Sequence, residues 1–206
     1  MFRLLLTAVL MMCAAQAQTR DSRALLLISI DGMGPEYVHS ADRYQLKIPK
    51  LRQLYAGGAH ARGVRGVFPT VTYPSHTTLM TGVWPAKHGI PANTIFDPLG
   101  KNTGAWFWYS EEIRVPTLWE TAKKAGYSTA SVSWPVTAGA RGIDWLIPEY
   151  WRNSTSEDLK LMRLLATPGL VNEIEKQVGP YVTDLNNAIP GDQARTHYAE
   201  TIIRTK

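Results

Sequence analysis

Three short segments of this 206-residue chain place side chains that can handle a phosphate group next to an expected strand or helix end. The first contains Asp31, which directly follows an apolar run and precedes Gly32. A carboxylate at such a position is costly to bury unless it meets a metal, a cation or backbone N–H groups. A turn or cap aspartate is the structural alternative, and the spacing alone leaves both open.

The second segment, from Phe68 to His76, carries a hydroxyl group at the expected start of a helix. Pro74 is typical of the first turn of a helix, so Thr72 is expected near the N-cap. A helix N-terminus attracts anions, and a threonine hydroxyl deprotonated there by a metal can attack phosphorus. The alternative is that Thr72 only caps the helix.

The third segment runs from His88 to Asn93 and offers a side-chain amide. Asn93 can donate that amide to a phosphate oxygen, although an asparagine after Gly and Pro is also typical of a turn. His76 and His88 are candidate metal ligands by residue type. Neither has a partner ligand four residues away, so structural hydrogen bonds are expected for both.

Strands and helices alternate along the chain, which predicts an α/β fold with a mainly parallel sheet and helices on both faces. The near-continuous apolar run 24–30 is expected to form a central strand, with short strands at 61–67 and 128–133. Helices are expected from Pro49 to Gly57, from Pro74 to Gly82, from Pro116 to Ala125, and over 157–165, 171–178 and 196–204. In open α/β sheets, ligands bind beyond the carboxyl ends of the strands.

Composition excludes several classes of protein. With 45% hydrophobic and 19% charged residues, the chain is neither disordered nor a coiled coil. The net charge of +5 comes from scattered residues, so no nucleic-acid groove is expected, whereas small anionic substrates are tolerated.

The first 17 residues are expected to be a secretory signal peptide, cleaved after Ala17 to leave a domain over 18–206. Arg3 precedes an apolar run that is too short to anchor the chain in a membrane. The single cysteine lies within this peptide, so disulfides are not expected in the mature protein. The predicted location is the periplasm or the extracellular space.

Together, the three segments resemble the nucleotide pyrophosphatase/phosphodiesterase family of the alkaline phosphatase superfamily. The similarity lies in the sequences of residues 28–33, 68–76 and 85–90 and in the position of Asn93. The resemblance implies that Asp31 binds zinc and that Thr72 is both the nucleophile and a metal ligand. It also implies that Asn93 holds a phosphate oxygen and that Tyr73 packs a nucleoside base. An aromatic residue near Tyr150 or Trp151 would line the leaving-group pocket.

The implied reaction is hydrolysis of a phosphate diester or nucleotide by two zinc ions through a phospho-threonine intermediate. The remaining family ligands stand in an Asp-x-x-x-His segment, an Asp-His pair and a last histidine. This sequence has neither the Asp-x-x-x-His segment nor an Asp-His pair, and after His88 its only histidine is His197. We therefore expect the N-terminal part of a longer enzyme, inactive by itself.

Two alternatives remain open from the sequence. The same site could hydrolyse phosphomonoesters or phosphonates, because the shape of the pocket decides between these substrates. The chain could also be a non-catalytic secreted binding domain that kept the fold and lost the metals.

Overall fold

The computed structural model describes residues 24–101, 105–151, 156–182 and 188–206. The chain divides into two compact units, one ending at Gly58 and one running from Ala59 to Lys206. The predicted signal peptide lies outside the described residues.

Within residues 24–58, the first unit forms two helices. Helix α1 spans Glu36–His39 and helix α2 spans Pro49–Gly57, so the predicted bounds of the second helix are confirmed. The predicted central strand over 24–30 is wrong, because these residues form no strand and Leu25 is 80% exposed. An apolar run favours burial, but only a hydrogen-bonded neighbour makes it a strand.

The second unit begins with a segment that was also predicted wrongly. Residues 61–67 form no regular secondary structure, and Val67 is the residue of this segment that is buried. The apolar residues Ala61, Val64 and Val67 recur every three positions, which does not match the alternation of a strand.

Helix α3, Thr72–Thr81, starts two residues before the predicted Pro74. The first N–H groups of a helix have no acceptor within it, so a proline in the first turn costs no hydrogen bond. Gly82 ends the helix as predicted, in the left-handed conformation with φ 68° that suits glycine. Helix α4, Pro85–His88, follows directly.

Helix α5, Leu118–Lys124, is shorter than the predicted helix because Thr117 caps it. The Thr117 hydroxyl accepts the backbone N–H of Glu120, and the Glu120 carboxylate accepts the backbone N–H of Thr117. This reciprocal pair fixes the start of the helix. Trp119 is buried, whereas Leu118 is exposed.

A small parallel sheet follows, and it confirms the predicted α/β class. Strand β1, Ala130–Val132, pairs with strand β2, Trp145–Ile147, so that Ser131 lies opposite Leu146. Helices α6, Ser156–Leu165, α7, Leu170–Val178, and α8, Ala188–Thr205, complete the unit. They include the three predicted helical stretches, with α8 starting eight residues earlier.

Two hydrophobic cores hold the second unit together. The first, which we call the helical core, gathers residues of β2 and of α6 to α8: Ile147, Met162, Ala166, Leu170, Val171, Ile174, Tyr181, Tyr198 and Ile202. The second, which we call the aromatic core, is built from Tyr73, Ile90, Trp108, Val136 and Ala138. Tyr150 packs against both cores.

Candidate functional site

Thr72 is the first residue of α3 and is half-buried. The residue before it, Val71, is extended and occupies the N-cap position, so Thr72 stands one residue further into the helix than a cap. The interpretation of Thr72 as an N-cap is therefore wrong. Its hydroxyl belongs to the first turn, where the helix dipole favours negative charge.

In the structure, Asn93 lies next to the first turn of α3, where it contacts Tyr73, the residue that follows Thr72. The backbone N–H of Tyr73 donates a hydrogen bond to Oδ1 of Asn93, with an N···O distance of 2.9 Å. The Asn93 backbone is fixed in turn, because its carbonyl accepts the N–H of Phe107 at 3.0 Å. An amide whose oxygen is engaged in this way presents its N–H groups to another acceptor.

The two histidines of this region make the structural hydrogen bonds that we predicted. Nδ1 of His76 lies 2.8 Å from the carbonyl oxygen of Thr72 and therefore donates to it. Nδ1 of His88 accepts the backbone N–H of Ile90, which places the ring proton on Nε2, 3.1 Å from the Thr78 hydroxyl. His88 is fully buried, and burial lowers its pKa.

The Tyr73 side chain is completely buried in the aromatic core. Its ring centroid lies 5.3 Å from that of Trp106 and 6.0 Å from that of Trp108, both in edge-to-face geometry. Burial, and then the negative charge of Glu149, raise the pKa of its hydroxyl. Packing of this ring against a base would require the ring to become exposed, and that role stays a prediction.

The two tryptophans that contact Tyr73 are themselves packed against other aromatic rings. Trp106 and Trp108 stack on each other at 5.6 Å, and Trp151 contacts both of them, at 4.6 and 5.2 Å. Tyr150 lies 5.2 Å from Trp108. Sequence reasoning singled out Tyr150 and Trp151 for a leaving-group pocket and missed Trp106 and Trp108. The run Trp-Phe-Trp at 106–108 was the available signal, since large aromatic side chains in alternate positions favour burial on one side of the chain.

Asp31 belongs to the first unit and lies exposed in a turn with Gly32, whose φ is 70°. This placement agrees with the interpretation as a turn aspartate. Its predicted role as a zinc ligand is untested. Among the residues that the structure describes, no three His, Cys, Asp or Glu side chains gather where they could hold a metal ion.

Comparison with known proteins identifies a family. The model of the type I phosphodiesterase / nucleotide pyrophosphatase family matches residues 25–195. Human ectonucleotide pyrophosphatase/phosphodiesterase family member 5 is 33% identical over 126 residues, which are 57% of this chain and 24% of that protein. A venom phosphodiesterase of Naja atra is 30% identical over 156 residues, which are 70% of this chain and 18% of that protein.

The chain is also similar in fold to murine ectonucleotide pyrophosphatase / phosphodiesterase 5, with a TM-score of 0.51 and 22% identity. The match covers 88% of this chain and 53% of the other. It supports the predicted alkaline phosphatase-like α/β class. In the described part of the chain, no helix is both long and apolar enough to cross a membrane.

Proposed function

This chain belongs to the type I phosphodiesterase / nucleotide pyrophosphatase family, and from that premise we propose that Thr72 and Asn93 form the phosphoryl-binding part of a phosphodiesterase site. The hydrogen bond from the Tyr73 N–H to Asn93 carries the proposal, because it ties the amide to the first turn that bears the Thr72 hydroxyl. The substrate class is a phosphate diester or nucleotide.

The proposed chemistry is displacement at phosphorus. The Thr72 oxygen forms a bond to phosphorus as the bond to the ester leaving group breaks, and the hydroxyl proton ends on the departing oxygen. Water then cleaves the phospho-threonine and restores the hydroxyl. The N–H groups of Asn93 and the N-terminus of α3 stabilise the charge on the non-bridging oxygens.

Family resemblance implies two zinc ions, but the described residues do not fit them. A zinc ion takes about four ligands, and no described group of three suitable side chains exists. We therefore assign no step to a metal. We expect the 206-residue chain to bind a nucleotide phosphate weakly at Thr72 and Asn93, with no detectable turnover.

Titration with adenosine monophosphate tests the binding part of this proposal. In ¹H–¹⁵N NMR spectra of the purified chain, the nucleotide should shift the Asn93 side-chain amide and the Thr72 and Tyr73 backbone amides. Asn93→Asp is the matched control, since a carboxylate still accepts the Tyr73 N–H but repels phosphate. It should weaken binding roughly tenfold or more. Equal binding by both proteins would contradict the assignment of Asn93.

Hydrolysis of bis-p-nitrophenyl phosphate, compared with p-nitrophenyl phosphate and with a phosphonate ester, tests the chemistry. With added zinc, neither the wild-type chain nor Thr72→Ala should release p-nitrophenolate. Turnover that Thr72→Ala abolishes would support Thr72 as the nucleophile and would mean that the chain completes a metal site with further ligands. The order of activity on the three esters would then separate a diesterase from a monoester or phosphonate hydrolase.

The absence of a metal-binding group among the described residues favours a second candidate, a binding domain without catalysis. A dissociation constant for adenosine monophosphate that added zinc leaves unchanged, together with no turnover, would support it. Tighter nucleotide binding in the presence of zinc would argue for the enzyme.

Secretion is the last part of the proposal. Residues 1–17 are proposed to direct export, in keeping with relatives that are named as ectoenzymes and venom enzymes. Sequencing the N-terminus of exported protein should give Gln18 as its first residue. Retention of Met1 would contradict the cleavage site.

A further inference from the structure

Ser133 directly follows β1 and has a backbone conformation that is uncommon for a residue with a Cβ, with a φ of 52°. Hydrogen bonds hold it there at the backbone and at the side chain. Its backbone N–H donates to the carbonyl of Ile147, the last residue of β2, at 2.8 Å, and its hydroxyl is hydrogen-bonded to the hydroxyl of Tyr181. Since such a conformation persists only where its surroundings fix it, these contacts set the direction in which the chain leaves the sheet.

Tyr181 is a firm support for this contact, because its ring is fixed in the helical core. The side chain is buried, and its ring packs edge-to-face on that of Tyr198, with the centroids 4.9 Å apart. The Tyr198 hydroxyl is held in turn by the carbonyl of Gly179 at 2.9 Å. The helical core therefore determines where the Tyr181 hydroxyl lies.

A series of contacts leads from Ser133 to the proposed site, all within the second unit. The next residue, Trp134, places its ring 5.1 Å from the ring of His76, in edge-to-face geometry. Nδ1 of His76 donates to the carbonyl of Thr72 at 2.8 Å. Because edge-to-face contacts between rings are directional, the Trp134 ring restricts the orientation in which His76 reaches back to Thr72.

We propose that Ser133 and Tyr181 are positioning residues of the proposed site. The hydrogen bond between their hydroxyls fixes Trp134, and the Trp134 ring keeps His76 bonded to the first turn of α3. The Thr72 hydroxyl on that turn is thereby held close to one geometry, as attack on phosphorus requires. This inference rests on the proposed function of Thr72.

Tyr181→Phe removes the hydroxyl and leaves the ring in the helical core. In NMR spectra of the full chain, it should shift the His76 ring signals and the Thr72 backbone amide signal, because the ring packed against His76 is no longer fixed. Tyr198→Phe is the matched control, since it removes a hydroxyl from the same core whose hydrogen bond goes to Gly179. It should leave both sets of signals unchanged.

Ser133→Ala removes the other half of the same hydrogen bond and tests whether the two hydroxyls act as a pair. It should shift the same signals as Tyr181→Phe. The double variant should shift them no further, because both changes remove one bond. These spectra need no substrate, so the inference can fail while the proposed function of Thr72 stands.

Titration with adenosine monophosphate connects the contacts to the site. Tyr181→Phe should weaken binding by at least roughly twofold, whereas Tyr198→Phe should bind like the wild-type chain. If the wild-type chain binds no nucleotide, the proposed function fails, and the spectra of the variants still decide whether the contacts reach Thr72.

Unchanged His76 and Thr72 signals in Tyr181→Phe would overturn the proposal. Equal shifts in Tyr198→Phe would also overturn it, because Tyr181 would then be a general stability residue. Shifted signals with unchanged nucleotide binding would show contact without positioning, which contradicts the proposal as well. If Tyr181→Phe does not fold, Ser133→Ala decides between these outcomes, since Ser133 is only half-buried.

Discussion

The helical core and the region that carries the proposed site differ in how they treat buried polar groups. In the helical core, the Tyr198 hydroxyl donates to the carbonyl of Gly179 at 2.9 Å, and the Thr201 hydroxyl donates to that of His197 at 2.7 Å. Around α3, the buried Thr77 hydroxyl and the buried indole N–H of Trp134 have no hydrogen-bond partner among the described residues. Among the described residues, the buried polar side chains of the helical core all have hydrogen-bond partners, whereas some of those around α3 have none.

Strained backbone conformations occur in the loop after β1. Val136 of the aromatic core has a φ angle of 57°, and Ser133, which hydrogen-bonds to Tyr181 of the helical core, has a φ angle of 52°. Both values are uncommon for residues with a Cβ. In the described parts of α6 to α8 and their connections, only glycines have positive φ. Such strain costs about 1–3 kcal/mol for each residue and collects at functional sites.

Truncation in the helical core should have the largest effect on stability. Ile202 and Ile203 are neighbours on α8, but Ile202 is 4% exposed and Ile203 is 62% exposed. Ile202→Ala should lower the free energy of unfolding by about 2–5 kcal/mol, since it leaves a cavity. Urea unfolding followed by far-UV circular dichroism measures this loss. Ile203→Ala, the same change one residue on, should cost less than about 0.5 kcal/mol; equal losses would refute the burial pattern of α8.

Lowering the pH should have the next largest effect on stability, and this effect should arise in the region of the proposed site. Burial lowers the pKa of His88 in the folded chain. Below about pH 6.5, His88 is therefore protonated more readily in the unfolded chain than in the folded chain. Stability should therefore fall as pH drops from 7.5 to 5.5, with a slope of at most about 1.4 kcal/mol per pH unit from this group. Urea unfolding at several pH values gives the slope.

His88→Gln should flatten this dependence, whereas His197→Gln, at an exposed position of α8, should leave it unchanged. A slope that survives in His88→Gln would assign the dependence to another group.

Replacing a buried threonine by valine should have the smallest effect, and this effect on stability should have opposite signs in the two regions. Thr77 and Thr201 are both buried in helices, but only the Thr201 hydroxyl has a hydrogen-bond partner. Replacing threonine by valine exchanges a hydroxyl for a methyl group of similar size. Thr201→Val should lose about 1 kcal/mol of stability and Thr77→Val should gain up to about 1 kcal/mol, measured by thermal unfolding. Losses of similar size in both variants would remove the distinction between the regions.

The parts of the fold that are specified by neighbouring residues could be predicted from the sequence. Helix ends at Gly57 and Gly82 follow from glycine, and the helical stretches over 157–165 and 171–178 follow from apolar spacing. The strand predicted over 24–30 is wrong because an apolar run does not identify the segment with which it would have to pair. Pairing between distant segments is the part of a fold that a local pattern does not contain.

The site was predictable to a similar extent. Thr72 and Asn93 were identified from motifs, and the structure joins them through the Tyr73 backbone. The enclosure of Tyr73 by Trp106 and Trp108 was not identified, because these two residues stand 33 and 35 positions further along the chain. Complete burial of Tyr73 was missed for the same reason.

Exchange of the Tyr73 backbone amide in the wild-type chain tests the central claim most directly. The claim is that Asn93 is fastened to the first turn of α3 beside Thr72. The account predicts exchange at least roughly tenfold slower than in an unfolded chain, and loss of that protection in Asn93→Ala. Exchange at the unfolded rate in the wild-type chain, or protection that survives in Asn93→Ala, would contradict it.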